Sequence, residues 1–149
     1  MPDFKFFHPI EVRYGDLDAQ GHVNNASYLT FMEQARIQYI RRLGLWSGGS
    51  FQDLGVILAD VHLAFRAQIT FGQTVQVGVR VASIGNKSYM MEYRLEDAAD
   101  GKELASGTTV QVAFDYHSGK TMPVPQAWRE AIIEFEGLVD QETTTERPQ

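Results

Sequence analysis

At 149 residues the chain has the length of one ordinary domain, and its 44% hydrophobic and 21% charged residues give a globular balance that excludes disordered and fibrous classes. A formal net charge of -6, with Lys and Arg dispersed along the chain, lacks the basic footprint of a nucleic-acid binder. The absence of cysteine removes disulfide scaffolds, thiolate metal sites and a cysteine nucleophile together, so chemistry must come from oxygen or nitrogen.

The opening residues MPDFKFFHPIEV hold no long apolar run, and no later window approaches the roughly 20 apolar residues that span a bilayer, so a cytoplasmic protein without membrane association is expected. Ile10, Val12 and Tyr14 alternate with Glu11 and Arg13, the period-2 pattern of a half-buried strand, which runs into a loop from Gly15 to Asn24. Beyond it Leu29, Met32, Ala35, Tyr39 or Ile40 and Leu43 recur at three- and four-residue spacings without an internal Gly or Pro. This spacing predicts one long helix from about Asn25 to Leu43, with Gly44 as its C-cap.

Val56 to Phe65 is largely apolar, and Val75, Val77, Val79 and Val81 alternate with Gln76, Gly78, Arg80 and Ala82; both segments are predicted strands. A turn at Gly85, Asn86 and Lys87 leads into a strand from Ser88 to Asp97, where Tyr89, Met91, Tyr93 and Leu95 alternate with polar neighbours and Met90. Asp100, Gly101 and Lys102 mark the next hairpin, and Val110, Val112 and Phe114 carry a fifth strand to a turn at His117 to Lys120. Pro125 is placed as the first residue of a short helix with Trp128, Ile132 and Phe135 on its apolar face. Residues 140–149 read as a disordered polar tail, leaving a single domain over residues 1–139.

A strand, a long helix and then an unbroken series of strands joined by short turns indicate an α+β fold with an antiparallel sheet. A lone helix of about five turns must bury its apolar stripe against that sheet, and a curved sheet of about five strands wrapped around it is the compact arrangement.

The densest polar segment lies between the first strand and the long helix: Tyr14, Gly15, Asp16, Leu17, Asp18, Ala19, Gln20, Gly21, His22, Val23, Asn24 and Asn25. It delivers two carboxylates, an imidazole and two amides to a helix start, where unsatisfied N–H groups and the helix dipole favour negative charge, including a developing oxyanion. Turn and capping bonds by Asp16, Asp18 and Asn24 or Asn25 account for the same residues equally well. His8 and His117 flank strands among turn residues, and His62 reads as a core histidine of an apolar strand. Neither HExxH spacing nor a Gly-rich phosphate loop occurs, so no metal is expected, and Phe31 and Tyr39 read as core or interface packing.

The run VRYGDLDAQGHVNNASYLTFMEQAR, from Val12 to Arg36, strongly resembles the segment that identifies the 4-hydroxybenzoyl-CoA thioesterase branch of the hotdog superfamily. Supporting matches are HLAFRAQITFG at His62 to Gly72 and SIGNKSYMMEY at Ser83 to Tyr93. The resemblance implies a hotdog fold and hydrolysis of an acyl-CoA thioester, with Asp18, the second Asp of the D-x-D pattern, as the catalytic carboxylate. It also implies that the backbone N–H seven residues on, at Asn25, polarises the thioester carbonyl. Related enzymes carry His or Tyr at that seventh position, in some of them joined in a triad with the Tyr that corresponds to Tyr14. Asn25 departs from that pattern and weakens the Tyr14 role, leaving His22 as a candidate to orient Asp18 or a water. Tyr28 is a candidate lining of the acyl pocket, and Arg66, Lys87 and Ser88 are candidate contacts to coenzyme A phosphates.

On this reading no cofactor is required, because coenzyme A is part of the substrate. The resemblance further implies a homodimer with the site at the subunit junction, or a homotetramer built from it, and covering an exposed sheet edge is a physical reason for such pairing. Two alternatives stay open: a hotdog dehydratase or isomerase acting on acyl thioesters, and a non-catalytic acyl-thioester binding protein. The D-x-D-x-x-GH loop favours the hydrolase over the first of these.

Overall fold

The computed structural model describes residues 3–139, so the tail from residue 140 lies outside the described residues. Strands β1 (Phe7–Glu11), β2 (Val56–Phe65), β3 (Thr74–Ile84), β4 (Ser88–Asp97) and β5 (Glu103–Asp115) form a sheet in the order β1-β3-β4-β5-β2, and a two-residue β6 (Lys120–Thr121) pairs with β5. The helices are α1 (Asn25–Arg42) and α2 (Gln126–Glu136). β1 lies antiparallel to β3, with Phe7 opposite Gly78 and Glu11 opposite Thr74. The β3–β4 and β4–β5 links are tight hairpins, closed by Gly85 N–H to Ser88 O at 2.7 Å and Asp97 N–H to Lys102 O at 2.9 Å. The α+β class and the antiparallel sheet agree with the alternation read from the sequence.

Among the described residues two compact units are present, residues 3–39, 62–80 and 92–107 in one and residues 40–61, 81–91 and 108–139 in the other; α1, β2, β3, β4 and β5 each contribute residues to both. In the first unit, Tyr28, Phe31, Met32, Ala35 and Tyr39 of α1 are buried together with Val75, Val77 and Val79 of β3, Tyr93 and Leu95 of β4, and Ile69. Tyr39 meets Phe6 edge-on at 5.6 Å, and the Arg36 guanidinium donates to the Tyr93 hydroxyl at 3.0 Å. At Gly107 β5 approaches β2 and α1 closely: a Cβ there would stand 2.7 Å from His62 O and 3.2 Å from Met32 Cε. Only glycine leaves that room.

In the second unit α1 ends as expected at Gly44, with φ +75° and paired bonds from Gly44 N–H to Arg41 O and from Leu45 N–H to Ile40 O, a Schellman motif. α2 starts one residue later than predicted, with Pro125 as its N-cap. It satisfies backbone groups of β3 and its turn: Glu136 accepts from Val81 N–H at 3.1 Å, and Arg129 donates to Gly85 O at 2.9 Å. The register of β3 with β1 ends at Gly78, followed by one bond from Val79 N–H to Phe6 O at 3.1 Å, so the Glu136 bond to Val81 and the Arg129 bond to Gly85 serve the part of the strand and its turn that β1 does not reach.

Four expectations are corrected. Tyr14 does not continue the first strand; it opens a 3₁₀ turn and is 83% exposed, because the Asp16 carboxylate pulls the chain round onto Arg13. Leu29 is exposed, the buried α1 stripe running instead through Tyr28, Phe31, Met32 and Ala35. In β5 the buried set is Thr109, Gln111 and Ala113, while Val110, Val112 and Phe114 are half-buried. Leu104 and Ala105 are buried consecutively, which shifts the phase of the strand, and Gln111 Nε2 bonds Thr109 Oγ1 at 3.2 Å. His62 is exposed and not a core histidine, because β2 closes the sheet as its last strand.

Candidate active site

The segment between β1 and α1 is held by its own backbone. Asp18 N–H donates to His22 O at 2.7 Å and Gly21 N–H to Asp18 O at 3.1 Å, a tight loop that Gly21 closes with φ +82°. Leu17 bridges Val23 and His22 bridges Thr70, and Val23 N–H donates to Ile69 O at 2.8 Å. The loop is thereby tied to the segment before β3.

Within this loop the Asp18 carboxylate is fixed through one oxygen. Oδ1 accepts from Gln20 N–H at 2.9 Å and His22 N–H at 3.2 Å, whereas Oδ2 has no hydrogen-bond partner among the described residues. The carboxylate is half-buried. It is therefore oriented and still has a basic oxygen to offer.

At the start of α1 the amides divide in the same way. Asn24 N–H donates to Asp16 O at 2.8 Å, Ala26 N–H to Asn24 Oδ1 at 2.9 Å and Ser27 N–H to Asn24 O at 2.8 Å. Asn24 is thus the capping residue, and the Asn25 N–H between these three engaged amides has no partner among the described residues.

Asp16 is 3% exposed and takes Arg13 N–H at 2.8 Å, Arg13 Nη2 at 3.1 Å and Arg13 Nε at 3.4 Å. Burial pushes its pKa up, but the Arg13 hydrogen bonds and charge outweigh burial and hold it below the usual carboxylate value. Sequence reasoning gave Asp16 only a turn role; its burial could not be read from a polar loop.

His22 meets Asp18 through main-chain atoms, and its half-buried imidazole makes no hydrogen bond among the described residues. Tyr14 is exposed with no bond to Asp18. Tyr28 is buried, its hydroxyl donating to Ala67 O at 3.2 Å and its ring meeting Phe65 edge-on at 4.9 Å; burial raises its phenol pKa. The Arg66 guanidinium is shared between Glu103 at 3.3 Å and Ser106 Oγ at 3.3 Å. Lys87 and Ser88 belong to the second unit, Lys87 exposed and Ser88 half-buried at the β3–β4 hairpin. Among the described residues no group of three His, Asp or Glu side chains is placed to hold a metal ion, and no helix is long and apolar enough to cross a membrane.

Residues 12–132 match the profile of the Thioesterase-like superfamily. A thioesterase from Thermus thermophilus, solved with coenzyme A and zinc, superposes with a TM-score of 0.81 at 34% identity, covering 93% of this chain and 99% of its own. The acyl-CoA thioesterase YbgC of Haemophilus influenzae is 29% identical over 83% of this chain and 90% of its own. The 1,4-dihydroxy-2-naphthoyl-CoA hydrolase of Synechococcus elongatus is 26% identical over 85% and 92%. Their shared level is the superfamily, not the 4-hydroxybenzoyl-CoA branch in particular. With the profile running from the polar loop through α1 and every long strand that follows into α2, the chain belongs to the thioesterase-like superfamily, as a hotdog-fold thioester hydrolase.

Proposed function

We propose that the chain hydrolyses an acyl-CoA thioester to the free acid and coenzyme A, with Asp18 as the catalytic carboxylate. The observation that carries this reading is the division of labour in the loop: Asp18 Oδ1 is anchored by two amides while Oδ2 is left open, and the Asn25 N–H is the unengaged donor of the helix start. A thioester carbonyl is electrophilic and its thiolate leaves readily, so one base or nucleophile and one oxyanion donor form a sufficient apparatus.

In the base route Asp18 Oδ2 takes a proton from water, whose oxygen adds to the carbonyl carbon; the tetrahedral oxyanion is held by Asn25 N–H and collapses with loss of the coenzyme A thiolate. In the nucleophile route Oδ2 itself adds, the thiolate leaves, and water cleaves the resulting mixed anhydride. A single turnover in ¹⁸O-labelled water identifies the second route when water attacks the Asp18 carbonyl of the anhydride, because label then stays in the Asp18 carboxylate, which the base route never labels. Neither route uses a cofactor or metal. In this reading Tyr28 is assigned to the acyl side and Arg66 to the phosphates of coenzyme A.

The functional assembly in this reading is a homodimer. β2 ends the strand order, and Leu58, Val61 and Phe65 on it are 46%, 38% and 47% exposed, an apolar edge that a second copy would cover. Release of free thiol from a panel of acyl-CoAs tests the activity. Binding without release across the panel would sink the hydrolase reading.

A further inference from the structure

We propose that Asp16 is a positioning residue for thioester hydrolysis: its buried carboxylate, clamped by Arg13, holds the loop that sets Asp18 and the Asn25 N–H in register. The inference rests on the roles given above to Asp18 and Asn25.

Asp16 is the residue through which the end of the first strand and the start of α1 are joined. On one side its carboxylate takes three donors from Arg13, and its own N–H returns a bond to Arg13 O at 2.9 Å. On the other its carbonyl takes Asn24 N–H at 2.8 Å and Ser27 Oγ at 3.4 Å, the residues that flank Asn25 and Ala26. Asp18 follows two residues later, with Leu17 between them fixed by its N–H to Tyr14 O at 3.2 Å and by its bridge to Val23.

A turn of this length needs no buried charge; backbone bonds and an amide or hydroxyl close most such turns. Here the carboxylate side chain is 4% exposed while its Arg13 partner is 69% exposed, so the ion pair spans from solvent into the base of the loop. Charge-assisted bonds to both carboxylate oxygens fix its plane and remove the rotational freedom that a single acceptor would leave. All the donors to the carboxylate come from Arg13, so Asp16 offers nothing to a substrate and acts only through the loop. A displacement of about 1 Å between a reacting group and its oxyanion donor is enough to cost about a hundredfold in rate.

The experiment measures kcat and KM for thiol release by the full chain, with circular-dichroism melting of each variant. Asp16→Asn keeps the side-chain shape and removes the charge; kcat is expected to fall at least about tenfold with KM held within about twofold. Arg13→Ala removes the side-chain clamp from its exposed end and is expected to lower kcat about threefold or more, with Arg13→Lys recovering part of the loss. The combined variant should be no slower than Asp16→Asn, because the two act as one unit. If Asp16→Asn does not fold, the Arg13 pair decides the matter. An unchanged kcat in the folded variants overturns the proposal, whatever happens to the melting temperature, since a purely structural brace would lower stability alone. Asp18→Asn is assayed beside them. Wild-type turnover there refutes the catalytic reading itself, whereas an inactive Asp18→Asn with fully active Asp16 and Arg13 variants refutes only the positioning role.

Discussion

The Asp18 carboxylate and the His22 N–H are joined at 3.2 Å on the same oxygen that accepts Gln20 N–H, so the loop binds Oδ1 and leaves Oδ2 available. Asp18→Asn keeps an oxygen for those two amides and removes the basic one. Turnover is expected to fall by about two orders of magnitude or more, with an unchanged circular-dichroism spectrum. Thiol release within a few-fold of wild type would rule Asp18 out.

His22 supports Asp18 with its backbone, which survives truncation of the side chain. His22→Ala is therefore expected to cost about tenfold or less in kcat, well short of Asp18→Asn. A loss as large as that of Asp18→Asn in the same assay would make the imidazole itself a catalytic group.

Asp16 ties stability to pH with a definite sign. Its folded pKa lies below the ordinary Asp value of about 3.9, so the unfolded chain binds the proton first as pH falls. The stabilisation is fully present above that ordinary value and is lost as pH drops through the lower folded value. Urea midpoints compared at pH 7 and near pH 3 should differ less in Asp16→Asn than in the wild type. Asp97 and Asp115 are also lowered, by Gln73 and by the His117 N–H respectively, and keep part of the slope in the variant.

Tyr28→Phe removes one hydroxyl bond to Ala67 O while leaving the ring against Phe65. A loss of about 1 kcal/mol in urea unfolding is expected. Tyr28→Ala, which empties the site, should cost about 3–5 kcal/mol.

The apolar edge of β2 predicts a dimer by light scattering, and Val61→Lys should convert it to a monomer with loss of turnover. A monomeric wild type with full activity would remove the need for a partner.

The α+β class, the long helix with its Gly44 cap and the positions of β2, β3 and β4 were legible because they rest on local rules: period 2, period 3.6, and glycine where φ is positive, whereas β1 lies at Phe7–Glu11, ahead of the Ile10 to Tyr14 alternation, and β5 begins at Glu103, ahead of Val110. The loop at Asp18 was legible as a polar segment ahead of a helix, and resemblance rather than periodicity singled out Asp18 and Asn25 within it. Tertiary structure decided the rest. The solvation of β2, including His62, follows from its place at the end of the strand order, which no local pattern encodes. The inward turn of Thr109 and Gln111 follows from a phase shift at Leu104 and Ala105. Asp16 and Asp18 stand two apart in one D-x-D pattern, and the sequence offers no local reason to separate them. Only the folded loop buries one against Arg13 and leaves the other with an open oxygen, because the burial of each carboxylate and the neighbours that reach its oxygens are set by the path the chain takes between β1 and α1.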